Sequence, residues 1–214
     1  MTITKTNIEN LKQKIIVATQ HPDFRHHKWF VKYHLELVEK ISRSLCGKYP
    51  EANLNFVLAL GWLHDYGKII GLPGQDEHMI TRSSGPVFLT GLGFEESVAR
   101  DLIEAVKIID GKNYEELVAA RIEIKIVSTA DGASHLFGPF YELWFYENPK
   151  VEFEMLMAKA REKLQLDWHN KIVLPEVKEL LKERFLVILQ QNRYDVIRDI
   201  ETIFPVEASD DREN

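Results

Sequence analysis

His34, the consecutive pair His64-Asp65, and Asp131 are the residues of this sequence whose types and placement suit metal chemistry. Neutral imidazole nitrogens and carboxylate oxygens form a mixed borderline and hard donor set, suited to Mn, Fe, Ni, Co, Zn or Mg. Each residue adjoins an apolar surface. Phe30, His34, Leu37, Val38, Ile41 and Leu45 recur at helical spacing, so His34 falls inside an apolar stripe and is expected to point inward. His64-Asp65 closes the run from Phe56 to Leu63, which is apolar nearly all round and therefore reads as the central helix. Asp131 stands at the edge of a stripe formed by Ile126, Val127, Ala130 and Ala133. An unpaired carboxylate there would be costly or forced to take up a proton, and a divalent cation satisfies all four groups together. Neighbouring side chains on a helix diverge by about 100°. His64 and Asp65 can therefore share one ion only off the helix end, where Gly67 permits the chain to loosen and exit.

Helices must carry these groups. Strict apolar-polar alternation is rare; the nearest case, residues 121–126, continues at helical spacing into Val127, Ala130 and Ala133. The fold class expected is all-α, with helices over 5–19, 26–46, 51–65, 76–91 (broken near Gly85-Pro86), 95–110, 113–137, 140–147, 150–168 and 174–203. Gly47, Gly67, Gly111, Gly138-Pro139 and Asn148-Pro149 punctuate the pattern, and Asn113 with Glu116 resembles a capping box. Leu72 to Gln75 reads as a tight loop.

The chain has 214 residues, 45% apolar and 28% charged, with a net charge of −6 and one cysteine, Cys46. That length supports one good core with an appendage. One domain over 1–214 is expected: a core over 20–140 with the metal site, a C-terminal helical extension over 141–205, and an acidic tail over 206–214 expected to be disordered. The extension shows aromatic and charged stretches and no clustered ligand types. No lysine-arginine block points to a nucleic-acid backbone or an anionic membrane as partner. A lone cysteine forms no internal disulfide, the N-terminal stretch lacks an apolar signal region, and no run is long enough to span a membrane. A cytoplasmic protein is the expectation, with oligomeric state open.

The order His34, His64-Asp65, Asp131, with the local strings Trp-Leu-His-Asp-Tyr-Gly-Lys and Ile-Val-Ser-Thr-Ala-Asp-Gly, resembles the HD-domain superfamily of metal-dependent phosphohydrolases over roughly residues 20–140. The resemblance implies an HD-domain helical bundle, with His34, His64, Asp65 and Asp131 as ligands of one divalent metal ion per chain. It also implies hydrolysis of a phosphate ester, in a nucleotide or other small phosphorylated metabolite, by a metal-activated water. Asp65 or Asp131 would accept the proton of that water. Some members add two histidines for a second metal. His78 stands where the first is expected, but helix 95–110 ends without the second, so His78 is read as a pocket residue. The alternative is a non-catalytic HD module that binds nucleotide and metal as a regulator.

Four further residues complete the reading. Lys68 follows the His-Asp pair and would hold a phosphate as a point charge. Arg82 is a second candidate phosphate contact. His135, one turn beyond Asp131, is a candidate substrate contact or general acid for the leaving group. His21, His26 and His27 form a histidine-rich patch expected at the surface.

Overall fold

The computed structural model describes residues 2–72 and 74–192. The chain is all-α, with no strand among the described residues. The helices are α1 (Lys5–Thr19), α2 (Glu36–Cys46), α3 (Leu54–Leu63), α4 (Tyr66–Ile70), α5 (Glu77–Gly91), α6 (Glu96–Gly111), α7 (Tyr114–Ala119), α8 (Ile122–Ser134), α9 (Phe140–Glu147), α10 (Phe153–Leu166) and α11 (Pro175–Gln191). Two π-helical turns, Val31–Leu35 before α2 and Asp167–Lys171 after α10, continue those helices with a wider turn. Residues 193–203 of the last expected helix, the acidic tail and Pro73 of the expected tight loop lie outside the described residues. No helix is long and apolar enough to cross a membrane among the described residues.

Helix α3 is the axis of the fold. Its residues Phe56 to Leu63 are all buried, and it packs against α1, α2, α6 and α8, which explains why no polar face was needed. Asn53 caps it by accepting from the Phe56 N–H at 3.2 Å. The helix stops at His64, Asp65 takes a non-helical conformation, and α4 restarts at Tyr66. Gly67 makes this corner possible. A Cβ there would stand 2.0 Å from the Glu77 carbonyl oxygen and 2.5 Å from Thr81 Oγ1, so only a glycine lets α4 lie against α5.

Three expected boundaries differ. Helix α5 runs unbroken through Pro86, because Thr81, Gly85 and Leu89 form a buried stripe, with Thr81 meeting Gly67 of α4 and Gly85 meeting Ile103 of α6, and that packing outweighs the proline penalty. The expected helix 113–137 is two helices. Ala120 and Arg121 are extended, and Arg121 is anchored by Asp101 at 3.0 Å and by stacking 3.9 Å over the Phe56 ring. The chain before α2 is a series of turns from His21 to Trp29, closed onto α9. Glu147 accepts from Trp29 Nε1 at 2.6 Å and pairs with His26 Nδ1 at 2.8 Å.

Candidate metal centre and cavity

The first π turn carries His34 and the α3–α4 corner carries His64 and Asp65. The middle of α8 carries Asp131. All four converge. His34 Nε2 lies 3.2 Å from His64 Nε2, and Asp65 Oδ2 lies 3.1 and 3.2 Å from those two nitrogens. Asp131 Oδ1 is 3.9 Å from each of the same nitrogens. Ligand atoms of His34, His64 and Asp131 all lie within 4.8 Å of one another, in a buried group.

Hydrogen bonds behind the rings fix which nitrogen faces the centre. His64 Nδ1 lies 2.8 Å from the Gly61 carbonyl, which only accepts, so Nδ1 carries the hydrogen and Nε2 is bare in the neutral ring. Ser134 Oγ donates to the Asp131 backbone carbonyl at 2.7 Å and therefore accepts from His34 Nδ1 at 3.0 Å, leaving His34 Nε2 bare as well. With both rings neutral, two imidazole lone pairs and two carboxylate oxygens thus face one point, a repulsion relieved either by a proton on His64 Nε2 or by a cation among them. Burial works against charge on both rings. The Asp65 and Asp131 carboxylates outweigh it at His64, lifting it to about 8, whereas His34 falls below its ordinary value. This donor set fits a divalent transition metal.

Each carboxylate has a second partner that sequence reasoning did not assign. Asp65 Oδ1 accepts from Lys68 Nζ at 2.6 Å, and Asp131 Oδ2 accepts from Lys171 Nζ. Burial alone would raise both carboxyls, but Lys68 beside Asp65 and Lys171 beside Asp131, with the neighbouring histidines, hold them well below the usual range. Lys171 comes from the second π turn, in the extension read as lacking clustered ligand types. Asp167 and Lys163 join it. Lys163 Nζ contacts Asp167, and Asp167 Oδ2 lies 2.8 Å from His135 Nδ1. A signal for this cluster was present: Ala160, Leu164, Asp167 and Lys171 recur at helical spacing and are all buried, the same pattern that marks His34.

A cavity of about 230 Å³ opens over the centre. His34, His64, Asp65, Lys68, His78, Asp131 and His135 all line it. His135 is buried and stacks 3.8 Å from Phe140 and 5.1 Å from His34. Burial, reinforced by Lys163, pushes its pKa down to about 3 against the pull of Asp167. It is therefore neutral, with Nδ1–H on Asp167 and a bare Nε2 at 3.7 Å from Asp131 Oδ1. That is an acceptor, which removes the general-acid role considered for it. His78 sits half exposed at the cavity wall with Nδ1 at 3.0 Å from Asp110 Oδ2, a carboxylate where a second histidine was sought. Arg82 is exposed on α5 and is not among the residues lining the cavity, so the geometry gives no support for a phosphate contact there. Of the histidine-rich patch, His21 is exposed and His26 folds onto the cavity edge beside Trp29.

The fold and site together define an all-α protein with a buried His-Asp centre screened by lysines. Comparison with family models, with curated proteins and with solved structures gave no match to this chain.

Proposed function

We propose that this chain is a metal-dependent phosphohydrolase of HD type that cleaves a small phosphate monoester. The observation that carries the reading is the charge balance around the cavity. Asp65, Asp131 and Asp167 are each matched by one ammonium, from Lys68, Lys171 and Lys163. At the centre itself the three ammonium groups offset the three carboxylates, and the outer wall adds Glu77, Asp110 and Lys112, so a bound divalent ion leaves net positive charge facing the cavity. That charge complements a phosphate monoester dianion and is unlike the carboxylate-rich cages that retain a purely structural ion.

When bound, a divalent cation at His34, His64, Asp65 and Asp131 supplies Lewis-acid charge at a phosphoryl oxygen and lowers the pKa of a water. The water gives one proton to bulk solvent as its oxygen forms a new bond to phosphorus; the ester P–O bond breaks, and the alkoxide leaves with that electron pair and takes its proton from a donor in the cavity, which is reprotonated from solvent. His135 offers its bare Nε2 as a hydrogen-bond acceptor that orients the water. Lys68 faces the phosphate as a positive charge held in place by Asp65. Lys163 is the group suited to give a proton to the leaving oxygen. Burial brings its ammonium down to about 8 despite Asp167, close to the pH at which it must donate.

The test is elemental analysis of the purified protein and of Asp65→Ala, followed by a phosphate-release screen with the metal found. Near-stoichiometric metal and turnover in the parent, with both lost in the variant, supports the proposal. Metal and nucleotide binding without any product would favour the regulatory-module reading instead.

A further inference from the structure

Asp167 opens the second π turn, in the C-terminal extension, and is only 1% exposed. Its ionic partners are His135, Lys163 and Lys171. Asp167 Oδ2 lies 2.8 Å from His135 Nδ1, Lys163 Nζ contacts the same carboxylate, and Lys171 Nζ is 3.9 Å from Oδ1. His135 and Lys163 line the cavity, and Asp167 stands behind both. Replacing such a buried ionic group with apolar side chains is commonly neutral or stabilising, so packing alone gives little reason for it.

The His135 ring is held by stacking against Phe140 at 3.8 Å and His34 at 5.1 Å. With the ring in place, what remains open is which nitrogen carries the hydrogen. Two settings compete. With the hydrogen on Nε2, that nitrogen would point it at Asp131 Oδ1, 3.7 Å away, and Nδ1 would accept from Lys163 Nζ at 3.3 Å. With the hydrogen on Nδ1, the ring donates to Asp167 Oδ2 and leaves Nε2 bare toward the centre. The 2.8 Å contact decides for the second, because an ionised carboxylate only accepts. Burial would raise the Asp167 carboxyl, but Lys163, His135 and Lys171 hold it well below the usual range and so keep it ionised.

Resting on the phosphohydrolase reading, we infer that Asp167 is a positioning residue of the reaction: it fixes His135 with Nε2 as the acceptor for the water and keeps Lys163 free to serve the leaving oxygen. It touches neither water nor ester. Without the carboxylate, Lys163 would turn its hydrogen bond to His135 Nδ1, and His135 would turn its own hydrogen to Asp131. Asp167→Asn isolates this effect. The amide keeps the size but has one accepting oxygen, which is drawn to the Oδ1 side, where Lys163 and Lys171 both lie. Its NH₂ then faces His135 Nδ1 and donates, so the ring hydrogen moves to Nε2.

Nitrogen NMR of histidine-labelled protein in EDTA reads the tautomer without any metal, and His135→Gln identifies the signals. We expect Nδ1–H in the parent and Nε2–H in Asp167→Asn, with circular dichroism confirming intact helix. With Mn added, kcat for p-nitrophenyl phosphate, whose leaving group needs no proton, should fall by about 10²–10⁴-fold in Asp167→Asn at similar KM. For glycerol phosphate the alkaline limb should also move to lower pH. Burial lowers the Lys163 ammonium and Asp167 lifts it, with Asp131 adding to that lift and Lys171 opposing it. Nε2–H in the parent overturns the inference with no variant needed. So does a tautomer unchanged in Asp167→Asn, or a reversed tautomer with unchanged kcat. A parent that shows Nδ1–H but hydrolyses neither ester sinks the phosphohydrolase reading and confines Asp167 to holding the ring.

Discussion

Lys163 is the residue whose proposed chemistry is most directly open to titration. Its ammonium lies against Asp167 and within 3.3 Å of His135 Nδ1, while its pKa sits at about 8 because burial disfavours the charge more than Asp167 restores it. As the proton donor it works only when protonated. Turnover should therefore hold steady below about pH 8 and fall above it, and Lys163→Met should lower kcat by about 10²–10⁴-fold while erasing that alkaline limb. A pH–rate profile checks both, and an alkaline limb that survives in Lys163→Met assigns the donor elsewhere. Asp65→Ala makes the complementary case: metal content should fall to background with helix content intact, since Lys68 is a third exposed and can turn to solvent. Residues such as His34 were legible because an imidazole in an apolar stripe has few reasons to be there. Lys163, Asp167 and Lys171 were passed over because alternating charges on a helix ordinarily mean a solvated face, and only the three-dimensional neighbours reveal that Asp167 and Lys171 are buried.

Elements position these residues through local departures from regular helix. The π turn at Val31–Leu35 widens the helix where His34 must reach inward, and the second, at Asp167–Lys171, does the same for Lys171. No periodicity argument anticipates a π turn, since the extra residue is invisible until the hydrogen bonds are seen. The α3–α4 corner was legible, because a His-Asp pair followed by glycine cannot serve one ion from a straight helix. Its energetic basis is the fit of Gly67 against α5. Gly67→Ala should cost about 1–3 kcal/mol through overpacking and weaken metal retention, whereas Gly91→Ala, with nothing within 4 Å of its Cβ, should be neutral or slightly stabilising. Urea denaturation of the two variants separates a specific clash from a general dislike of alanine. The continuity of α5 through Pro86 and the split at Ala120-Arg121 were not legible for a related reason. In both, tertiary contacts override local signals: the packing of α5 on α6 in one, the Asp101 and Phe56 anchors of Arg121 in the other.

At the scale of the whole molecule, the contacts that join the extension to the core include an ion pair, Lys171 with Asp131, buried on both sides. The sequence suggested an appendage packed on a finished site. The structure has the appendage closing the site, with Ser128 donating to the Lys171 carbonyl at 3.0 Å and the Val173 N–H donating to Thr129 Oγ1 at 3.2 Å. That arrangement makes stability depend on the metal in a defined way. In Lys171→Met without metal, Asp131 is left as a buried carboxylate without its ammonium, a loss of about 3–5 kcal/mol by analogy with broken buried pairs. A divalent cation bound at Asp131 Oδ1 replaces much of that missing positive charge. Metal should therefore stabilise the variant more than the parent, which gains about 2.7 kcal/mol when metal is at a hundredfold its Kd. Guanidinium melts of both proteins in EDTA and in Mn give the four numbers needed. If Lys171→Met costs the same in both conditions, Lys171 acts by packing alone and Asp131 does not hold the ion. If the cost shrinks with metal, lysine and cation compete to neutralise one carboxylate, and the extension is what lets the core keep its site folded before the ion arrives.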